Sequence, residues 1–455
     1  MLWFPLQLPS WIRWPSQSTA RHVLYGVIIG FSLSLTSTSL ALYYQAQKRQ
    51  RITAKFVSRP IELRSDEVLS GVTGLIGNTP LVRINSLSDA LGVEILGKAE
   101  YLNPGGSVKD RVALRMIDDA ERLGLLRPHT GSRIFEGTVG STGISIATIA
   151  RARGYDATII MPDDVAQEKV KALEALGATY VNLARQRAMK FGRLDSIDES
   201  DVTNRPHLIP STSASVVVTT TSLHVNFGTN DPQDDDDFLM KPRGYFADQF
   251  ENRSNFDAHF EGTGPEIWRQ TNGRIDAFVS GAGTGGTIAG TGQYIKSMND
   301  NTVVALADPE GSGLYNKIKH GVMFDRKESE GTKRRHQVDT VVEGILTNNI
   351  DLALPIIDDA FRITDAEAVS MSRYLVKNDG LFLGSSSACN LVACVKLVRR
   401  MGWAEGQTLV TVLCDSGSRH YSKFWNDDYL RKANIALDPH IVEDLLLPLP
   451  ALETL

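Results

Sequence analysis

The sequence predicts an α/β fold built on mostly parallel sheet, and three features point there. Short apolar runs alternate with stretches of helical periodicity, the pattern of βαβ units. Glycine-rich turns follow two of the runs, at 103–106 and 281–286. The composition is 42% hydrophobic and 22% charged over 455 residues, an ordinary globular mix with apolar surface enough for a sizeable core. The same numbers exclude other classes. A net charge of −5 argues against a dedicated nucleic-acid binder. Three cysteines, Cys389, Cys394 and Cys414, are too few for a disulfide scaffold. They form no C-x-x-C, the nine histidines form no H-x-x-x-H, and no metal is expected.

Taken in chain order, residues 1–60 come first and stand apart. They contain no Asp or Glu and seven basic residues: Arg13, Arg21, Lys48, Arg49, Arg51, Lys55 and Arg59. Between Arg21 and Lys48 no charged residue occurs, and at 1.5 Å per helical residue the stretch 23–44 would span roughly 33 Å, enough for a bilayer core. Tyr25, Tyr43 and Tyr44 lie near its ends, where amphipathic rings favour the interface. The reading is an N-terminal transmembrane helix with its basic C-terminal flank in the cytosol. A cleaved mitochondrial transit peptide is the competing reading, since six Ser/Thr between Ser32 and Ser39 dilute the hydrophobicity and acidic residues are lacking.

Buried strands are then expected at 95–100, 133–136, 157–161, 276–280, 302–306 and 408–414, with helices such as 143–153 and 168–176 after some of them. The stretch 184–244, with Asp231 and Asp234 to Asp237, reads as a solvated, flexible insertion. The main domain is expected over 61–430, and 431–455 as a tail too short for a further domain.

Residues 103–111 read Asn-Pro-Gly-Gly-Ser-Val-Lys-Asp-Arg. Pro104, Gly105 and Gly106 force a turn. Ser107 suits a helix N-cap, with Asp110 three residues on to support the first turn. Ala113, Met116, Ile117, Ala120 and Leu123 repeat on one apolar face, and Gly124 stands where a C′ glycine belongs. Lys109 thus falls in a helix's first turn, where desolvation and the positive helix end both lower an amine's pKa. A neutral amine is what Schiff-base chemistry needs.

Residues 281–287, Gly-Ala-Gly-Thr-Gly-Gly-Thr, form a strand-to-helix turn whose backbone N–H groups suit a phosphate. Through Gly281, Gly283 and Gly286 they also satisfy G-x-G-x-x-G, with Asp308 about 20 residues on, so a nicotinamide dinucleotide and an oxidoreductase stay open at this point. Cys414-Asp415-Ser416-Gly417 ends the last strand, and Ser416 there is equally readable as a simple helix cap.

Residue for residue, 103–111 resembles the lysine loop of the cysteine synthase/cystathionine β-synthase family of fold-type II pyridoxal-phosphate enzymes, and the resemblance covers roughly 70–430. It implies a tryptophan synthase β-like fold of two open parallel-sheet subdomains, pyridoxal 5'-phosphate as cofactor, and a homodimer. It implies Lys109 as the Schiff-base lysine and acid/base. Gly283, Thr284, Gly285, Gly286 and Thr287, matching the family's GTGGT, would hold the phosphate. Ser416 would face the pyridine nitrogen, a neutral partner and a weaker electron sink that suits β-elimination. Gly384-Ser385-Ser386-Ser387 resembles the small-residue turn beside the ring. Gln249, in Phe-Ala-Asp-Gln-Phe-Glu-Asn at 246–252, would bind the substrate carboxylate, and Glu343-Gly344-Ile345 resembles the turn at the cleft mouth.

Two departures qualify the match. The family's T-S-G-N-T-G loop reads Thr138-Val139-Gly140-Ser141-Thr142-Gly143 here. Ser141 replaces the asparagine that bonds the cofactor's phenolic oxygen, and Val139 a serine facing the carboxylate; one lost hydrogen bond costs about 0.5–1.5 kcal/mol. After Gly177-Ala178-Thr179-Tyr180 the family carries a strand, whereas 182–190 reads as helical here. The expectation is a membrane-tethered cysteine synthase, converting O-acetylserine and sulfide to cysteine and acetate. Thr138, Gly140, Thr142 and Gln249 would hold the substrate, and the anchor would lie in the mitochondrial outer membrane with the catalytic domain in the cytosol. The alternative is a degenerate membrane-tethered scaffold that binds cofactor without turnover.

Overall fold

The computed structural model describes residues 68–138, 140–161, 165–182, 216–219, 242–323 and 350–447, with isolated positions between 25 and 44. The chain divides into two compact units, Met1–Pro60 and Ile61–Leu455. In the first, the described positions, among them Tyr25, Phe31, Leu40 and Tyr43, are helical and exposed. Most of the span expected at 23–44 lies outside the described residues, and among those described no helix is long and apolar enough to cross a membrane.

The described residues of the second unit form two sheets. Its strands are β1 (Leu81–Arg83), β2 (Glu94–Ala99), β3 (Arg133–Gly137), β4 (Asp156–Met161), β5 (Thr179–Asn182), β6 (Val216–Thr219), β7 (Arg243–Phe246), β8 (Ala277–Gly281), β9 (Val303–Pro309), β10 (Asp359–Ile363) and β11 (Thr408–Leu413). One sheet has the order β1-β2-β11-β8-β9-β10 and the other β5-β4-β3-β7-β6. Every pairing is parallel except β1 with β2. Strands 3 to 7 build the smaller sheet between the halves of the larger, so the chain leaves the first sheet after β2 and returns at β8.

Helices cover both faces of the larger sheet, which is why its strands read as apolar runs rather than as alternations. Ile95, Val279, Ala307 and Leu409 pack on one side against Ala368, Leu375, Leu391 and Val395. Phe278, Val304, Leu306 and Val412 pack on the other against Phe256, Ile267, Ile288 and Ile295. In the smaller sheet Ile134, Ile159 and Tyr245 pack against Val112, Met116, Ile117, Ala147 and Leu173.

The six expected strands match β2, β3, β4, β8, β9 and β11 within a few residues. Several expectations need correction. β6 lies inside the stretch read as an insertion, and β7 begins there; both are sheet strands, because pairing of β7 with β3 and of β6 with β7 supplies what a four-residue run cannot signal alone. Asn182 closes strand β5 rather than opening a helix, and 183–190 lie outside the described residues. The supposed tail carries the helix His440–Leu446, whose Val442 is fully buried and donates its N–H to Ser370 Oγ. Leu123, placed on the apolar face of the helix Lys109–Arg122, is 52% exposed, because the chain turns off that face at Gly124 with φ of 71°.

Candidate active site

Parallel strands place their C-terminal ends on one edge of a sheet, and ligands of open α/β folds bind beyond that edge. β2 leads there into 103–109, β3 into 138–142, β8 into 282–285 and β11 into 414–416.

Lys109 opens its helix as expected, but the capping differs. Val108 takes the cap position. Ser107 Oγ accepts from the Lys109 N–H at 3.3 Å, and Asp110 reaches back to the Gly105 N–H and out to Ser145 Oγ instead of capping. The 103–108 turn is also stitched to the β11 end. Val108 N–H donates to the Cys414 carbonyl at 3.0 Å, and Ser107 pairs with Asp415. Arg419 donates to the Gly105 carbonyl from the same segment.

Lys109 Nζ donates to Thr284 Oγ1 at 2.9 Å. Loss of water around the amine pushes its pKa down to about 8, against the opposing pull of Cys414 and Glu136. From Thr284 a chain of side chains crosses to the smaller sheet. Asn255 Nδ2 donates to Thr284 Oγ1 at 2.8 Å and to the Gln249 carbonyl at 2.7 Å. Thr142 Oγ1 donates to Gln249 Oε1, and Gln249 Nε2 to the Gly137 carbonyl at 3.3 Å. The structure therefore joins Lys109, Thr284, Gln249 and Thr142 in one network. Thr138 Oγ1 accepts from the Gly140 N–H at 3.3 Å in the same turn. Gly140 has φ of 138°, and a Cβ there would meet Lys169 Cδ at 2.4 Å.

The turn after β8 leads into the helix Gly286–Met298, whose first N–H groups have no intrahelical acceptor. Gly285 has φ of 79°, a Cβ at Gly283 would meet nothing within 4 Å, and one at Gly286 would strike Asn255 Oδ1 at 2.1 Å. Gly283 thus faces open space while Gly286 lets Asn255 close behind it. Thr287 Oγ1 lies 3.1 Å from His259 Nε2. Asp308, the acidic residue a dinucleotide would need, is fully buried in β9, and its Oδ2 accepts from the Tyr315 N–H at 2.7 Å; it belongs to the packing of the next helix rather than to the cleft.

Ser416 Oγ accepts from the Ser418 N–H at 3.3 Å and from Ser418 Oγ at 3.1 Å, so it caps the turn Gly417–Arg419. Both bonds are accepted, which leaves its own proton to donate. Gly384 is glycine for a steric reason: a Cβ would meet Asp415 Oδ1 at 2.0 Å and His420 Nε2 at 2.7 Å. Ser387 Oγ accepts from the Cys414 N–H at 2.8 Å. Ser141 Oγ lies 3.5 Å from Arg419 Nη1. Val139 and the Glu343–Gly344–Ile345 turn lie outside the described residues.

Four residues here escaped the sequence reading: Asn255, His259, Glu136 and Arg419. Glu136 lies buried within β3, with Oε2 3.4 Å from the Gln249 N–H and Oε1 without a hydrogen-bond partner among the described residues. Burial, helped by the charge of Asp248, pushes its carboxyl up to about 8. A carboxylate in the middle of a buried strand was the available signal for it. Nothing local marks the others.

Residues 72–415 match the family described as pyridoxal-phosphate dependent enzyme. The chain is 50% identical over 388 residues to cysteine synthase 2 of Schizosaccharomyces pombe, covering 81% of this chain and 87% of that protein. It is 42% identical over 400 residues to a Saccharomyces cerevisiae protein whose name reads mitochondrial cysteine synthase, covering 87% and 92%. Among solved structures it resembles a hydrogen sulfide-producing enzyme from Fusobacterium nucleatum, with 26% identity and a TM-score of 0.58 over 78% of this chain and 99% of that one.

Proposed function

The chain belongs to the pyridoxal-phosphate dependent enzymes, and from that membership we propose that it is a cysteine synthase, replacing the acetate of O-acetylserine by sulfide to give cysteine. The observation that carries this reading is a single one: a partly buried amine, its pKa pushed down to about 8, bonded to the threonine of a glycine turn at a helix start.

The residues fit the cofactor. Helix N–H groups with Thr284 and Thr287 suit a phosphate, Gly283 leaves space for it, and Lys109 supplies the amine for an aldehyde. Bound there, pyridoxal phosphate supplies the electron sink for charge developing at the substrate's α-carbon. Lys109 Nζ, once free of the cofactor, is the base that takes the α-proton and later returns it. Its depressed pKa keeps a large fraction of the amine neutral near pH 8. Thr142 and Gln249, already joined to each other, orient the substrate carboxylate, with Thr138 and Gly140 in the same turn. Ser416, whose Oγ accepts two bonds and keeps its own proton to donate, would serve the ring nitrogen as a neutral partner. At Ser141, Arg419 Nη1 stands beside the position where the family carries an amide, so a donor remains there.

The test is a visible spectrum of the purified full-length protein before and after O-acetylserine, with cysteine assayed once sulfide is added. A chromophore whose band shifts with O-acetylserine, followed by cysteine, is expected. A coloured protein whose spectrum ignores O-acetylserine would instead favour the cofactor-binding scaffold.

For location, the uncharged stretch 23–44 and its basic flank support a membrane anchor, and the name of the S. cerevisiae relative supports a mitochondrial setting. The proposal is a homodimer tethered to the mitochondrial outer membrane with its catalytic domain in the cytosol. It predicts that protein in isolated mitochondria resists carbonate extraction yet is digested by external protease, and that light scattering gives twice the chain mass. Release by carbonate, or protection from protease, would remove the tether from the proposal.

A further inference from the structure

The phosphate turn has a buried histidine behind it. His259 is fully buried and opens a π-helical turn, His259–Thr263, between the helices Ser254–Ala258 and Gly264–Gln270. Such wide turns inside helices occur often at functional sites. Gly290 lets the phosphate helix approach this turn closely, since a Cβ there would meet Phe256 O at 2.4 Å and His259 Cβ at 2.8 Å. The imidazole bridges two hydroxyls. Nδ1 lies 2.9 Å from Thr263 Oγ1, and Nε2 lies 3.1 Å from Thr287 Oγ1. Burial, reinforced by the charges of Lys109 and Arg111, holds the ring neutral, so it carries one proton.

A neutral imidazole between two hydroxyls allows two directions of donation. In one, Thr287 donates inward to Nε2 and Nδ1–H donates to Thr263. In the other, Thr263 donates to Nδ1, Nε2–H donates to Thr287, and the Thr287 proton points outward. A phosphate bears acceptor oxygens toward the turn, so only the second direction serves it. We propose that His259 is a positioning residue of the phosphate cradle: held as the Nε2–H tautomer by Thr263, it occupies the acceptor side of Thr287 Oγ1 and turns that hydroxyl into an outward donor to the cofactor's phosphate. The assignment rests on the reading that residues 283–287 take the phosphate.

The experiment measures binding of pyridoxal 5'-phosphate and of pyridoxal, which lacks the phosphate, to cofactor-stripped full-length protein, wild type, His259→Leu and His259→Gln. The glutamine amide nitrogen can replace Nε2–H. His259→Leu is expected to weaken pyridoxal 5'-phosphate about 3- to 10-fold, one hydrogen bond's worth, and to leave pyridoxal unchanged. His259→Gln should restore most of the loss. Nitrogen-15 NMR of the histidine-labelled wild type, with the His259 signal assigned from its absence in the variants, should show the Nε2–H tautomer with cofactor bound. A purely structural role would weaken both ligands alike and overturn the proposal. So would unchanged phosphate binding in the leucine variant, or an Nδ1–H tautomer in the loaded protein. Wild-type protein that binds neither pyridoxal 5'-phosphate nor inorganic phosphate would remove the cofactor reading itself, and this inference with it.

Discussion

Lys109→Ala is expected to lower cysteine synthesis by at least about 10³-fold, because it removes both the group that bonds the cofactor and the base that moves the α-proton. The fold should survive, since among the described residues Lys109 Nζ makes one hydrogen bond, to Thr284, and that threonine keeps its bond from Asn255. Thermal unfolding of the variant within a few degrees of wild type, with activity gone, is the expected pair of results. Borohydride reduction of the loaded wild type, followed by peptide mapping, should place the pyridoxyl group on Lys109. The pKa near 8 adds a pH test: attack on the aldehyde needs the neutral amine, so the rate of cofactor loading should rise with pH and level off above about 8. A pyridoxyl group on another lysine, or a variant with near-normal turnover, would sink the assignment.

Glu266→Gln is expected to cost about 3–5 kcal/mol of stability, the largest loss we foresee from a single polar change. Glu266 stands between two buried cations. Arg111 reaches it through Nη1 at 2.7 Å, and Lys98 Nζ lies 2.7 Å from its other oxygen. Arg111 also holds Glu100 at 2.7 Å, and Glu100 in turn accepts from Asn103 and Thr79. Two positive and two negative groups balance, and removing one charge leaves a buried cation uncompensated. The partners shift differently for a physical reason. Lys98, with no exposed surface, is pushed down because lost hydration outweighs its pairing. Glu266, reached by two cations, is held well below the usual carboxylate range. A carboxyl depressed on folding contributes stability that is complete above its unfolded pKa, near 4.5, and is lost as pH falls below it. Wild type should therefore lose stability below about pH 4.5 more steeply than Glu266→Gln, as read from denaturant melts across that range. A loss under about 1 kcal/mol at pH 7 would show the network to be dispensable. Arg111 closes the 103–111 stretch, so the same variant should also loosen the turn that sets Lys109.

What could be read in advance follows the range of the forces involved. The strands of the larger sheet were legible because burial on both faces makes each a nearly unbroken apolar run. The Lys109 helix was legible from Ala113, Met116, Ile117 and Ala120 at helical spacing. β6, Val-Val-Val-Thr, had β-branched residues but only four of them amid polar sequence, and β10 mixes Asp and Arg with its apolar residues. Such segments become strands through their neighbours: β7 holds β6, and β9 holds β10. The helix His440–Leu446 was passed over because its apolar residues gain meaning only against the helix Asp365–Asp379.

The sequence by itself determined the α/β class, the lysine at the head of a helix and the glycine turn with its affinity for phosphate, since each depends on residues within a turn or two of one another. The tertiary structure decided the working arrangement: Thr284 as the partner of Lys109 from 175 positions away, Asn255 linking it to Gln249, His259 behind Thr287, and the ion cluster that fixes Arg111. Hydrogen bonds and desolvation act over a few ångströms of space regardless of chain separation, so no local pattern could have announced which distant side chains would meet.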